Sequence, residues 1–174
     1  MIEIQRIPKR LAIAEDLPRL EELLCNAKQQ MAKDGVTQWT SDYPNREHLL
    51  QDITKQQLWV FGDAIKAMVV LEKQSTLWHV KRLVVDARFS GDGIASSILE
   101  TIKQSMMEAN VTEVHICTNH TNLRMIHLIQ QQSFSPFRRY HAQDRESLGE
   151  FIEFSYSRLS LIHISEPTRP ERIS

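Results

Sequence analysis

Residues 83–102 read LVVDARFSGDGIASSILETI. The apolar start ends a strand-like run, and Gly91 and Gly93 sit in a short loop. Ile94, Ile98, Leu99 and Ile102 then recur at helical spacing, continued by Met106. A strand that passes through a glycine loop into a helix presents the unpaired N–H groups of the first helical turn. The helix dipole adds roughly half a positive charge there. Gly91 and Gly93 carry no side chain, so an anion can approach the backbone closely. The local physics favours a phosphate site, although a plain tight turn uses the same residues. Two familiar phosphate loops do not fit. There is no Gly-Lys-Ser/Thr, which excludes a P-loop. A dinucleotide fingerprint would need Gly or Ala where Ser96 stands. It would also want an acidic residue ending the next strand, where Thr118-Asn119-His120 stands.

Working outward, the upstream half predicts a first strand at Ile2–Ile7. A helix opens at Glu15-Asp16, with Pro18 in its first turn and Leu17, Leu20, Leu24 and Ala27 as its apolar stripe; Gly35 ends it. Asn45 can cap a second helix carrying Leu49, Leu50 and Ile53. The runs Leu58–Phe61, Ile65–Leu71 and Leu77–Val85, joined at Gly62-Asp63 and Gln74-Ser75, predict an antiparallel meander. Downstream, Val114–Cys117 is a short strand. Asn122 begins a helix with Met125, Leu128 and Ile129 inward. Tyr140 and Phe151–Tyr156 fall in two final strands. No repeat or linker divides the pattern.

The chain has 174 residues, 41% hydrophobic and 25% charged, with 21 Lys+Arg against 22 Asp+Glu. Those proportions suit one compact domain. A net charge of −1 argues against nucleic-acid binding driven by bulk charge. No apolar run approaches the ~20 residues of a membrane span. MIEIQRIPKR lacks the apolar centre of a signal peptide, so a cytoplasmic setting is expected. Cys25 and Cys117 have no metal-type spacing and read as buried apolar residues. His115 and His120 make no metal pair, since no carboxylate accompanies them at ligand spacing, and no metal site is expected.

The last sixteen residues depart from the rest. LSLIHISEPTR, residues 159–169, resembles the translation of a transposase adaptor used in sequencing-library preparation. The expected organisation is therefore one domain over residues 1–158, followed by a non-native tail over 159–174.

Arg88-Phe89-Ser90-Gly91-Asp92-Gly93 resembles the acetyl-CoA-binding motif Q/R-x-x-G-x-G/A of the GNAT N-acetyltransferases. The resemblance extends to Asn122-x-x-Met125-x-x-Leu128 with Ser133-Phe134 downstream. Upstream it takes in EDLPRLEELL, Gln38-Trp39 and Tyr43-Pro44. It implies an α/β fold of α+β type, with a mixed, mostly antiparallel central sheet, a splayed central strand pair and flanking helices. It implies acetyl transfer from acetyl-CoA to a primary amine of a small molecule or peptide by direct attack, and it allows a homodimer. The main chains of Leu83, Val84 and Val85 would bind the pantetheine arm. The loop amides from Gly91 through Asp92, Gly93 and Ile94 to Ala95 would cradle the pyrophosphate, flanked by Arg88 and Ser90. Asn122 would hydrogen-bond the cofactor's arm, and Trp39 and Tyr43 would wall the acceptor pocket. Two positions depart from the family: Ser90 replaces the usual Arg, and Asp92 sets a carboxylate beside a diphosphate. CoA binding weaker than usual is expected.

Acetyl transfer needs a neutral amine. An α-amine with pKa near 8 is about one-tenth neutral at pH 7, a lysine amine far less. A base near the thioester therefore helps. His79, on the central strand, is the first candidate and Glu72 the second; a structural histidine and a surface carboxylate are the plainer readings. His120 and His127 read as solvent-facing. The family's usual acid, a Tyr seven residues after the helix asparagine, is replaced by Ile129. Either Tyr140 substitutes or the thiolate leaves unprotonated. A catalytically silent acyl-CoA-binding module is the competing reading.

Overall fold

The computed structural model describes residues 7–144 and 146–158. Among them a seven-stranded sheet runs in the order β1-β2-β3-β4-β5-β7-β6. The strands are β1 (Lys9–Leu11), β2 (Leu58–Phe61), β3 (Ala67–Gln74), β4 (Leu77–Val85), β5 (Glu113–Asn119), β6 (Ser135–His141) and β7 (Glu150–Ser157). The helices are α1 (Leu17–Lys33), α2 (Arg46–Thr54), α3 (Ile94–Glu108) and α4 (Leu123–Gln131). Only β4 and β5 pair in parallel; the other neighbours are antiparallel. This is the mixed, mostly antiparallel architecture that the family resemblance implied.

The helices bury the faces their spacing marks. Ile94, Ile98, Leu99, Ile102 and Met106 of α3 are all buried. With Ile129 of α4 they pack on Val69, Leu71, Trp78, Val80, Val114, Ile116, Ile152 and Phe154 of the sheet. On the opposite face, Leu17, Leu20, Leu23 and Leu24 of α1 and Leu49 of α2 pack on Leu58, Val60, Met68, Val70 and Val84. Asn45 caps α2 by accepting from the His48 amide at 3.2 Å.

Two strand readings change. The expected Ile65–Leu71 strand begins at Ala67, because Ile65 lies in the turn after Gly62 at φ +55°; the other is the first strand. Residues 1–6 of the expected Ile2–Ile7 strand lie outside the described residues, and Ile7 is not in a strand. The first described strand begins after Pro8, a residue with no N–H to give to a ladder. The suspected foreign tail, 159–174, also lies outside the described residues. No described helix is long and apolar enough to cross a membrane.

The feature that shapes the site is a bulge in β4. Met68 pairs with Val84, but Val70 pairs with Lys81, so β4 has one residue more than β3 over this span. Arg82 takes up the excess at φ +48°. As a result Val80 and Leu83 both face the α3 side, while Val84 faces α1.

Candidate functional site

Beyond the bulge the two central strands separate. β4 and β5 are in register only from Leu77↔Glu113 to Val80↔Ile116. β4 continues on β3 as far as Val85↔Ala67. β5 continues on β7 as far as Asn119↔Phe151. Leu83, Val84 and Val85 therefore have no β5 partner along one backbone edge. A cleft of about 480 Å³ opens there, lined by Leu83, Val84, Val85, Ser90, Ala95 and Asn122. Six of the expected cofactor residues thus come together.

The glycine loop stands at the head of this cleft. Gly93 is the N-cap of α3 at φ +77° and supplies no side-chain cap. Gly91 stands at φ +89°, also in the left-handed region that favours glycine. A Cβ on either would meet no atom within 4 Å, so open space lies over both. The first amides of α3 have no acceptor within the helix and remain available to an anion. Arg88, Gly91, Asp92, Gly93 and Ile94 do not line the described cleft itself.

Arg88 is not a free cation. Its Nη2 donates to Asp86 Oδ2 at 2.8 Å. Asp86 also accepts from Arg19 at 2.7 Å and from the Arg88 amide at 2.9 Å. These donors, Arg88 first, hold the Asp86 carboxyl well below the usual carboxylate range despite its burial. Asp86 thus fastens the end of β4 to α1. Another cation, Arg124, lies exposed on the cleft wall.

Asn122 is 8% exposed and caps α4, its Oδ1 accepting from the Met125 amide at 3.4 Å. Its Nδ2 donates to Gln38 Oε1 at 3.2 Å. The same Gln38 oxygen accepts from Thr118 Oγ1 at 2.7 Å and from the Asn119 amide at 3.2 Å. Gln38 thereby binds the segment after α1 to the parted end of β5.

Trp39 packs against the apolar layer under α1 and α2. The Tyr43 hydroxyl accepts from Arg82 Nη1 at 3.2 Å, and its ring meets His48 edge-on at 4.8 Å. Arg82 also forms a buried ion pair with Asp52, Nε to Oδ2 at 2.8 Å. Neither aromatic lines the cleft; both fix the segment between the first two helices near the bulge.

His79 lies outside the cleft lining, three residues before the bulge, on the α1 side of the sheet. Desolvation first, then His115, lowers its pKa. Across β3 it faces Glu72. Glu72 is already bonded to Lys81 at 2.6 Å, which lowers its pKa and makes it the poorer base. His120 and His127 are exposed, as expected. Ile129 is fully buried and cannot meet a ligand. The Tyr140 hydroxyl lies 3.0 Å from Cys117 Sγ, and burial raises its pKa. Both cysteines correct their reading: Cys25 is exposed, because α1 turns it away from the Leu20–Leu24 stripe, and Cys117 is half-buried on the polar face of β5, against the Tyr140 hydroxyl.

A family model described as an acetyltransferase (GNAT) domain matches residues 27–126, more than half of the chain. The chain belongs to the GNAT acetyltransferase family. Acyl transfer is the general chemistry of this domain. No curated protein matches the sequence. A GNAT acetyltransferase from Streptococcus agalactiae is similar in structure, with TM-score 0.76 and 18% identity, over 88% of this chain and 96% of that one. The PaiA N-acetyltransferase of Thermoplasma acidophilum, solved in complex with coenzyme A, gives TM-score 0.69 and 15% identity, over 88% and 99%. The ribosomal-protein-S18-alanine N-acetyltransferase of Escherichia coli gives 0.66 and 12%, over 96% and 99%. At these identities the likeness shows the GNAT fold alone.

Several residues of this GNAT domain escape a reading by motif. Asn26, Gln30, Met31 and Asp34 of α1 and its C-terminal end wall the cleft. Their helical spacing is a signal that was available, a second stripe beside the leucines. Asp86, Arg19, Asp52 and Arg82 left none, because their pairing depends on how strands and helices meet.

Proposed function

We propose that this GNAT domain transfers an acetyl group from acetyl-CoA to the primary amine of a small molecule or peptide, by direct attack of the amine. The observation that carries the reading is the parting of β4 from β5 beside the glycine loop. It joins a backbone edge suited to an amide-bearing arm with helix-start amides suited to a diphosphate. Leu83, Val84 and Val85 would hold the pantetheine arm by their main chains. The amides of Gly91, Asp92, Gly93, Ile94 and Ala95 would hold the pyrophosphate, with Arg88 and Ser90 flanking them. Asn122 would steady the arm from the start of α4. When bound, acetyl-CoA supplies an activated acetyl thioester.

The chain's own groups divide the remaining tasks. A free N–H on the inner edge of β4 can donate to an oxygen that gains negative charge. His79 is proposed as the base that receives the amine proton, an imidazole being mostly neutral near pH 7. Trp39 and Tyr43 would flank the acceptor from the segment that Gln38 and Arg82 hold in place. The PaiA structure, with coenzyme A in the same fold, supports a CoA donor.

The test is thiol release from acetyl-CoA across a panel of amines and peptide N-termini, alongside calorimetric binding of acetyl-CoA. Turnover of at least one amine is expected. His79→Ala should cut kcat about 100-fold or more with acetyl-CoA affinity unchanged. Binding without turnover would favour a silent acyl-CoA-binding module instead. That second reading draws on Ile129, which fills the family's tyrosine position with a core side chain.

A further inference from the structure

The sheet face carrying His79 is covered by α1 and α2 only over its first strands. Past β4 it bears polar side chains. There His79 of β4, His115 of β5 and Glu153 of β7 converge, each with one candidate ligand atom within 4.8 Å of the others. We propose that these three side chains bind a divalent transition-metal cation of the zinc type. The binding goes beyond acyl transfer and does not depend on it; only its effect on turnover rests on the role proposed for His79.

The donor set is the first argument. Two imidazoles and a carboxylate match the three protein ligands Zn²⁺ takes in sites with a free fourth position. Tetrahedral bonds of about 2.1 Å would bring the ligand atoms to roughly 3.4 Å apart. One pair, His115 Nδ1 and Glu153 Oε2, already stands at 3.6 Å.

The second argument is the way the ligands are held. His79 and His115 are directly in register on neighbouring strands. Glu153 sits two residues from Ser155, the register partner of His115, and so on the same face. His115 directs Nδ1 to Glu153 Oε2 at 3.6 Å and Nε2 to Glu113 Oε1 at 3.5 Å. A cation on Nδ1 leaves Nε2–H to donate to Glu113, the carboxylate–histidine arrangement that orients metal-bound imidazoles. Ser155 Oγ donates to that Glu113 oxygen at 3.1 Å. Arg138 holds the other Glu153 oxygen, Oε1, at 3.0 Å and leaves Oε2 toward His115. Phe137 covers the His115 ring at 4.7 Å. The remaining cation close by, Lys81, is paired with Glu72 at 2.6 Å.

An imidazole bound to a cation cannot accept a proton through the same nitrogen. Zn²⁺ at this site would therefore oppose the use of His79 as a base and act as an inhibitor.

The test is calorimetric titration of the chelator-treated full chain with ZnCl₂ alone, with MgCl₂ as the contrast. About one equivalent of Zn²⁺ should bind, and Mg²⁺ should not. His115→Ala and the gentler Glu153→Gln should each weaken binding about tenfold or more, with circular dichroism and Tm checking that both fold. Co²⁺ absorption of the unaltered protein gives a readout that needs no variant: tetrahedral d–d bands without thiolate charge transfer are expected. No binding, undiminished binding in both variants, or a cysteine–cobalt band would each overturn the proposal.

Discussion

Asp92 stands between the two loop glycines, and its carboxylate is exposed. A diphosphate held by the loop amides would feel it as a repulsive charge. Exposure keeps that repulsion near the aqueous limit, about 1 kcal/mol at 4 Å. Asp92→Lys should therefore tighten acetyl-CoA binding by about fivefold or more, measured by calorimetry; equal or weaker binding would count against the placement of the pyrophosphate. Gly93 makes a different demand. Alanine there would clash with nothing but would have to hold φ at +77°. Gly93→Ala should cost about 1 kcal/mol, seen as a fall in Tm of roughly 2–4 °C. Both positions could be singled out from the sequence, because a loop between strand and helix carries its chemistry locally. Ile129 was legible in the same way, as an apolar residue on the inner stripe of a helix.

At the scale of elements, two ion pairs hold helices to β4. The Arg82–Asp52 pair joins the bulge to α2, with side chains 12% and 7% exposed. Arg82→Ala would strand a buried carboxylate, at a cost of about 3 kcal/mol. In a chain of this length that corresponds to a fall in Tm of roughly 6–12 °C, readable by calorimetry. Asp86 joins the end of β4 to α1 and behaves differently with pH. Its folded pKa lies well below its unfolded value near 3.9, so folding favours the ionised form. The stability it contributes is full above about pH 4 and is lost as pH falls toward the folded value. Asp86→Asn should thus destabilise by about 2 kcal/mol at pH 7, and the gap to the parent should narrow on acidification toward pH 3. Denaturant unfolding at several pH values checks this. None of these pairs was legible in the sequence. Helical periodicity names the buried face of each helix, but strand register is fixed by contacts distant along the chain. For the same reason the His79–His115–Glu153 grouping, spread over three strands, has no ligand spacing to read.

For the whole molecule, the residue pattern alone reached the meander and the helices beside it; the mixed sheet with its splayed centre was anticipated through the resemblance to the GNAT family. The periodic faces marked which side of each helix is buried, and the structure shows those sides against the sheet. The beginning was less legible: the short β1 starts after Pro8, where a three-residue strand carries almost no pattern of its own. Reading residues 159–174 as foreign predicts that a chain ending at Arg158 keeps the Tm and acetyl-CoA affinity of the full chain. A clear loss of either would return those residues to the domain.

The parted strands also bear on how this protein meets other polypeptides. Most sheets have two adhesive rims, at their outermost strands. Here β1 is only three residues long, and β6 carries Pro136, Arg138 and Arg139, all poor templates for an incoming strand. The third rim is interior, the inner edge of Leu83 to Val85, walled by residues of α1 and α4. A slender ligand seated there would complete the row of backbone partners and shut out a strand from a neighbouring chain. Under the proposed function, acetyl-CoA should then act as a solubility factor as well as the donor. During storage or mild heating, protein held with it should stay monodisperse longer than its gain in Tm alone accounts for.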